Sequence, residues 1–239
     1  MKITVFNGSP RGKNSNTHVM VKEFLQGAQD AKAEVENIFL GECNIRHCLG
    51  CFSCWVKTPG QCVINDGMKE LLLKFVSSDI VVFATPVYVD NVTGLMKNFI
   101  DRLIPLADPH FEKDAGGECR HIIRQNKSPK IIVISNCGFP EQSHFQVISL
   151  SFKRFARNMH SEVIAEIYRG GGAILRDHPL VLEPLFMNYR HILRTAGREV
   201  VEDLRLSDKT ISLLNKPIIS DELYINKANE SWDKLLSKK

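Results

Sequence analysis

Two stretches of this chain hold residue types whose spacing could support chemistry. In the first, Gly8-Ser9-Pro10-Arg11-Gly12-Lys13-Asn14-Ser15-Asn16-Thr17 follows the apolar run Ile3 to Phe6. Gly8 and Pro10 end a strand, and Asn16 or Thr17 can cap the helix that follows. Such a junction aims backbone N–H groups at one point, where the helix dipole also favours negative charge. Ser9, Arg11, Ser15, Asn16 and Thr17 add hydroxyl, guanidinium and amide donors. That set suits a doubly charged terminal phosphate better than a bridging pyrophosphate. The glycine spacing fits neither G-x-G-x-x-G nor a Walker A loop.

In the second stretch, Cys48-x2-Cys51-x2-Cys54-x7-Cys62 gathers four thiols, with Gly50 and Gly60 to allow tight turns. Thiolates at this spacing can ligate a cubane iron-sulfur cluster. Four thiolates suit zinc as well, and reduced thiols without metal are a third reading. Cys43 lies outside the spacing, while Cys119 and Cys137 are isolated; these three read as structural.

Composition bounds the remaining possibilities. With 239 residues, 44% hydrophobic and 24% charged, the chain reads as one large domain, or one domain with an appendage. The net charge of +4 comes from basic residues scattered along the chain, which implies no nucleic-acid partner. No apolar stretch approaches a membrane span, and Met1-Lys2 leads straight into the first strand. The expectation is a cytoplasmic protein with no membrane partner. Crowding of five of the seven cysteines between Cys43 and Cys62 suits a reducing compartment better than a disulfide framework. No G-x-S-x-G or H-E-x-x-H motif is present, so neither a serine hydrolase nor a zincin is supported. His47 reads as an exposed side chain, and His144, His160 and His191 suggest no common site.

The elements that must position these residues alternate. A helix from about Thr17 to Ala31 carries Val21, Phe24, Ala28 and Ala31 on one face, and Glu34 to Leu40 reads as a strand leading into the cysteine loop. A helix through Met68, Leu71, Leu72 and Phe75 follows. Ile80 to Ala84 is a continuous apolar run, as expected of a parallel strand covered on both faces. Gly94 to Arg102 is helical, Ala107 to Pro129 a polar excursion, and Lys130 to Ile134 a strand. Phe145, Ile148, Phe152, Phe155 and Met159 step along one helix face, and Val163 to Tyr168 is the last strand. The alternation predicts an α/β fold with a doubly wound parallel sheet. Beyond Gly170 the pattern is helical: Glu183 to Glu202, Ser207 to Leu214 and Asp221 to Leu236. Residues 1–169 therefore read as the sheet domain and 170–239 as a helical C-terminal extension. Its apolar residues, Leu182, Leu185, Phe186, Ile192, Leu213, Leu214, Leu223 and Trp232 among them, predict packing on the domain or on a partner subunit in a homo-oligomer.

Ligands of open α/β sheets bind outside the carboxyl ends of the strands, which brings forward Ser9 to Thr17, Thr85 to Val89 and Ser135 to Pro140. The segments Gly8-Ser9-Pro10-Arg11 with Ser15-Asn16-Thr17, Thr85-Pro86-Val87-Tyr88, and Gly94 with Lys97, Phe99, Asp101 and Arg102 resemble the flavodoxin-like, NAD(P)H-dependent FMN reductase family. The cysteine spacing resembles its iron-sulfur flavoprotein branch. The resemblance covers about residues 2–169 and implies a flavodoxin-like five-stranded sheet of order 2-1-3-4-5. It implies FMN, with phosphate on Ser9, Arg11, Ser15, Asn16 and Thr17. It sets the isoalloxazine ring against Thr85, Pro86, Val87, Tyr88 and Val89 and the loop Asn136, Cys137 and Gly138. A 4Fe-4S cluster on Cys48, Cys51, Cys54 and Cys62 is implied by the branch. Two functions follow from the resemblance. One is an enzyme passing electrons from NAD(P)H to a quinone, a flavin or a similar small acceptor. The other is an iron-sulfur flavoprotein that carries electrons between redox proteins. No side chain is required as an acid or base. The branch often has two acidic residues where this chain has Asn65 and Asp66.

Overall fold

The computed structural model describes residues 1–237. A sheet of five parallel strands forms its centre: β1 (Lys2–Asn7), β2 (Glu34–Phe39), β3 (Ile80–Pro86), β6 (Lys130–Asn136) and β7 (Val163–Arg169), in the order β2-β1-β3-β6-β7. Between β3 and β6 lies a separate antiparallel hairpin, β4 (Ala107–Lys113) and β5 (Cys119–Ile123). With that hairpin set aside, the order is the expected 2-1-3-4-5. The parallel register pairs Val5 with Val82 and Val82 with Ile132. The helices are α1 (Asn16–Asp30), α2 (Ser53–Val56), α3 (Met68–Val76), α4 (Gly94–Asp101), α5 (Gln146–Asn158), α6 (Glu183–Asp203), α7 (Asp208–Asn215) and α8 (Asp221–Leu236).

Successive strand residues point to opposite faces, and both faces are covered here. Ile3, Val5, Ile80, Val82 and Ile132 pack under α1 and α6, whereas Phe6, Val81, Phe83, Ile131 and Val133 pack under α3, α4 and α5. The second face is aromatic, with Phe6 stacked on Phe99 at 4.3 Å and Phe83 against Phe152 at 4.9 Å.

Helix α6 lies directly on α1. A Cβ at Gly27 would stand 1.8 Å from the Arg194 carbonyl oxygen, and one at Gly197 would stand 2.0 Å from that of Phe24. Only glycine lets the two backbones approach this closely. The helix begins the stretch expected as an extension, yet Phe186, Leu193, Ala196 and Val200 share a core with Phe24 and Ala28.

Two expectations are corrected at this level. The N-cap of α1 is Ser15, whose hydroxyl accepts the amide of His18, rather than Asn16 or Thr17. The excursion from Ala107 to Pro129 contains an ordered hairpin. Its turn is fixed by Asp114, which accepts the amides of Gly116 and Glu118, and by Arg157, whose Nε reaches Asp114 at 2.7 Å. Among the described residues, no helix is long and apolar enough to cross a membrane.

Candidate functional site

The loops after β1, β3 and β6 meet at the carboxyl edge of the sheet and are hydrogen-bonded to one another. Gly8 N–H donates to Ala84 at 2.8 Å, and Thr93 Oγ1 donates to the Gly8 carbonyl at 2.7 Å. Val87 N–H donates to the Asn136 carbonyl at 2.8 Å, and Ser135 Oγ to that of Thr85 at 2.6 Å. The three segments singled out in the sequence thus form one continuous surface.

Within the first loop the polar side chains divide into committed and open groups. Ser15 caps α1 and donates its hydroxyl proton to the Gly12 carbonyl at 2.7 Å. Asn16 Nδ2 reaches the Ala173 carbonyl at 3.3 Å. Buried Thr17 accepts from Asn136 Nδ2 at 2.7 Å, which leaves its own O–H proton to donate. Ser9 is buried, and its amide is held by Asn7 Oδ1 at 3.1 Å. Arg11 is exposed. A positive φ at Gly12 (50°) opens the turn between Ser9 and the cap.

Thr85 serves the loop backbone: its hydroxyl accepts the Thr93 amide and donates to the Pro86 carbonyl at 3.0 Å. Pro86 is buried and Val87 partly so, while Tyr88 and Val89 project outward, Val89 being 99% exposed. Val89 and Asp90 both have positive φ, 49° and 56°, in a tight turn closed by Tyr88 and Asn91. For a β-branched residue this is a strained conformation. On the third loop Asn136 and Cys137 are buried and Gly138 is exposed. Burial pushes the Cys137 thiol above its usual range, and its sulfur accepts the Phe139 amide at 3.4 Å.

Residues beyond β7 brace this surface, a contribution not read from the sequence. Gly172 lies against Asn136, where a Cβ would come within 2.7 Å of the asparagine Cβ. Arg176 donates to the Asn14 carbonyl. The signal in the sequence is the run Gly170-Gly171-Gly172.

The cysteine loop lies between β2 and α3. Cys48, Cys51, Cys54 and Cys62 line one cavity with the apolar side chains of Leu49, Phe52 and Ile104. All seven cysteines are free. Gly50 and Phe52 adopt positive φ, 62° and 51°, which curls the loop around its own thiols. Ser53, through its hydroxyl and its backbone, pulls the exposed Cys51 thiol below its usual range. Burial, followed by the neighbouring Cys62, pushes that of Cys54 up. Among the described residues no three His, Cys, Asp or Glu side chains stand close enough to hold a single ion. In this arrangement the four thiols form no single-ion site. The space between them is about 20 Å³, smaller than a cubane needs. The wall that would have to move outward is the exposed Leu49 to Phe52 segment.

Arg102, quoted above only as part of a motif, is buried at the wall of the same cavity. Its two terminal nitrogens meet Asp66 at 2.8 and 3.0 Å. Burial raises the Asp66 pKa, but Arg102 and the amides of Arg46 and Met68 outweigh it and hold the carboxyl below the ordinary range. The sequence signal was a charged residue at the end of an amphipathic helix, ordinarily a solvent-exposed position.

Fold and loops define a doubly wound α/β protein, with the candidate ligand site at the carboxyl edge of the sheet. Residues 1–117 match the family described as NADPH-dependent FMN reductase. A protein of Archaeoglobus fulgidus named iron-sulfur flavoprotein is 36% identical over 143 residues, 59% of this chain and 58% of that one. One of Methanocaldococcus jannaschii, named iron-sulfur flavoprotein MJ1083, is 35% identical over 106 residues, 44% of this chain and 53% of that one. The matches thus span little more than half the length of these relatives. A solved FMN-dependent NADH-azoreductase from Bacillus anthracis is similar in fold, with a TM-score of 0.61 at 18% identity. That likeness covers 84% of this chain and 99% of the azoreductase.

Proposed function

We propose that this chain is an FMN-dependent oxidoreductase that draws electrons from NAD(P)H and passes them to a small acceptor, a quinone or a free flavin. The observation that carries the reading is the open donor set at the sheet edge. Thr17 is oriented by Asn136 so that its hydroxyl proton is free, beside the Ser9 loop and Arg11. Bound FMN supplies the chemistry: it accepts a hydride, two electrons with one proton, and can release electrons singly. The protein binds and orients. Ser9, Arg11 and Thr17, with amides of the loop and the start of α1, hold the phosphate; Ser15 and Asn16 keep that loop in shape. Pro86, Val87, Tyr88, Val89 and the Asn136 to Gly138 loop flank the ring, with Thr85 pinning its loop from beneath. A quinone acceptor takes up two electrons and two protons, the second proton coming from solvent.

A second reading, an electron carrier between redox proteins, is favoured by the gathering of Cys48, Cys51, Cys54 and Cys62 around one cavity. The donor chemistry, thiolates at cubane spacing with a cationic side chain buried beside them, suits a 4Fe-4S cluster. Both relatives named above bear the iron-sulfur name. In this reading the cluster and FMN exchange electrons, and no nucleotide site is needed.

We further propose that residues 1–169 carry the flavin site and that residues 170–239 complete the layer over α1 and cover a subunit interface in a homo-oligomer. Exposed Leu180, Val181, Met187 and Trp232 support the second part. Free thiols throughout suit a reducing, cytoplasmic setting. Anaerobic mixing of FMN-loaded protein with NADPH or NADH tests the enzyme reading. Flavin that stays oxidised with both nucleotides in a protein containing four irons per chain would favour the carrier.

A further inference from the structure

The loop that follows β6 is pinned residue by residue. The Asn136 carbonyl accepts the Val87 amide at 2.8 Å, that of Cys137 accepts the Gly172 amide at 2.8 Å, and that of Phe139 accepts the Gly171 amide at 2.7 Å. Between them, the Gly138 carbonyl accepts the Tyr224 hydroxyl at 2.6 Å. The three amides belong to neighbouring loops at the strand ends. Tyr224 belongs to α8, 86 residues further along the chain.

Gly138 is the member of this loop that needs an outside hold. It is exposed, and a Cβ built on it meets nothing within 4 Å. With no side chain and no steric neighbour, its backbone can turn unless a hydrogen bond stops it. The peptide joining Gly138 to Phe139 is held at both ends, its carbonyl by Tyr224 and its N–H by Cys137 Sγ at 3.4 Å. Sulfur is a weak acceptor, so the tyrosine carries most of that hold. Tyr224 is also what docks α8. Of the 16 residues of that helix it alone is buried, while Leu223, Ile225, Trp232, Leu235 and Leu236 are exposed. Its ring packs on Gly171, where a Cβ would lie 3.2 Å from Cε2. Phenylalanine would serve that packing equally well; the hydroxyl adds a directed contact to the loop.

We propose that Tyr224 is a positioning residue of the flavin site, its hydroxyl holding the Gly138 carbonyl so that the Asn136 to Gly138 loop is ordered before the isoalloxazine ring arrives. The inference rests on the FMN reading of the sheet edge. Ordering a loop on binding costs affinity, and a loop ordered beforehand avoids that cost. The contact is made to the ring-side loop and to none of the phosphate donors, so it acts on FMN and riboflavin alike. Coupling between two sites is reciprocal: bound flavin in turn holds α8 against the sheet edge.

The test uses full-length wild type, Tyr224→Phe, Tyr224→Leu and, as a control elsewhere on α8, Lys227→Ala. Phenylalanine keeps the ring on Gly171 and removes only the hydroxyl, so it disturbs the fold least. Dissociation constants for FMN and riboflavin are measured by flavin fluorescence. Melting of the flavin-free proteins and hydrogen exchange of residues 221–236, with and without riboflavin, accompany them. The expected result is a rise in both constants by the same factor, about fivefold in Tyr224→Phe and about tenfold in Tyr224→Leu, with Lys227→Ala unchanged. Riboflavin slows exchange in the first turns of α8 in wild type and has no such effect in Tyr224→Phe. Unchanged affinity in both tyrosine variants, whatever their melting temperatures, would reduce Tyr224 to an anchor of its helix and overturn the proposal. A loss confined to FMN would overturn it too, while leaving the flavin reading intact. Wild type that binds neither flavin would overturn both.

Discussion

Replacing Thr17 by valine removes one hydroxyl from a buried position and keeps the side-chain shape. That hydroxyl accepts from Asn136 at 2.7 Å and has its proton left to donate. A hydrogen bond to a charged group contributes about 1.5–3 kcal/mol, so loss of one phosphate contact should raise the Kd for FMN about 10- to 100-fold. Arg11 is exposed, and solvent screening limits its share. Arg11→Met should add a factor of about five, or about 1 kcal/mol. Riboflavin lacks the phosphate, so its Kd should change less than about twofold in either variant. The assay is titration of flavin fluorescence with both ligands against wild type, Thr17→Val, Arg11→Met and the double variant. Thr17→Ser, which keeps the hydroxyl, should bind FMN nearly as wild type does. Valine also leaves the buried Asn136 amide unpaired, which costs stability by about 1–3 kcal/mol and lowers the melting temperature. Equal loss of FMN and riboflavin affinity across the series would refute the phosphate assignment.

Gly197→Ala forces a methyl to within 2.0 Å of the Phe24 carbonyl oxygen, so α1 and α6 must separate. Denaturant unfolding should register a loss of at least about 3 kcal/mol. Val89→Asn keeps the positive φ of 49° with a residue that tolerates it, and should raise stability by about 1 kcal/mol; a lower midpoint would show the turn unstrained. Asp79 accepts the Lys2 amide and pairs with Lys127, which holds its carboxyl below the ordinary range. A folded pKa below the unfolded one adds stability above about pH 4 that is lost as pH falls through the folded value. Melting curves should therefore show wild type losing its advantage over Asp79→Asn on acidification, and a constant difference from pH 7 to about pH 3 would disprove the linkage. Light scattering at micromolar concentration should give a mass above that of one chain, and a monomer would remove the interface assigned to residues 170–239.

The central sheet was readable because its signals are local. Ile80 to Ala84 has no polar residue, and both faces of that strand are buried; the two helix layers follow from residues spaced three and four apart. Contacts between distant segments left weaker traces. A glycine inside a helix by itself signals only weaker helix propensity, and the meaning of Gly27 and Gly197 emerges only when α6 lies on α1. The hairpin after α4 lacks strand alternation and depends on partners in α5, Arg154 to Glu118 and Arg157 to Asp114. In the candidate site, residue types were legible and their allegiance was not. Ser15 and Thr17 look alike as hydroxyl donors two residues apart, yet one is committed to the helix cap and the other is left open by Asn136, 119 residues away. Arg102 gave no sign of burial, because its partner Asp66 lies 36 residues back across the cysteine loop.

The most direct test of the central claim is anaerobic stopped-flow mixing of the FMN-loaded protein with NADPH and, separately, NADH, followed by flavin absorbance. The account predicts bleaching with at least one nucleotide, stoichiometric with its oxidation, and return of colour on adding a quinone. A protein that binds FMN but keeps it oxidised in excess of both nucleotides would contradict it.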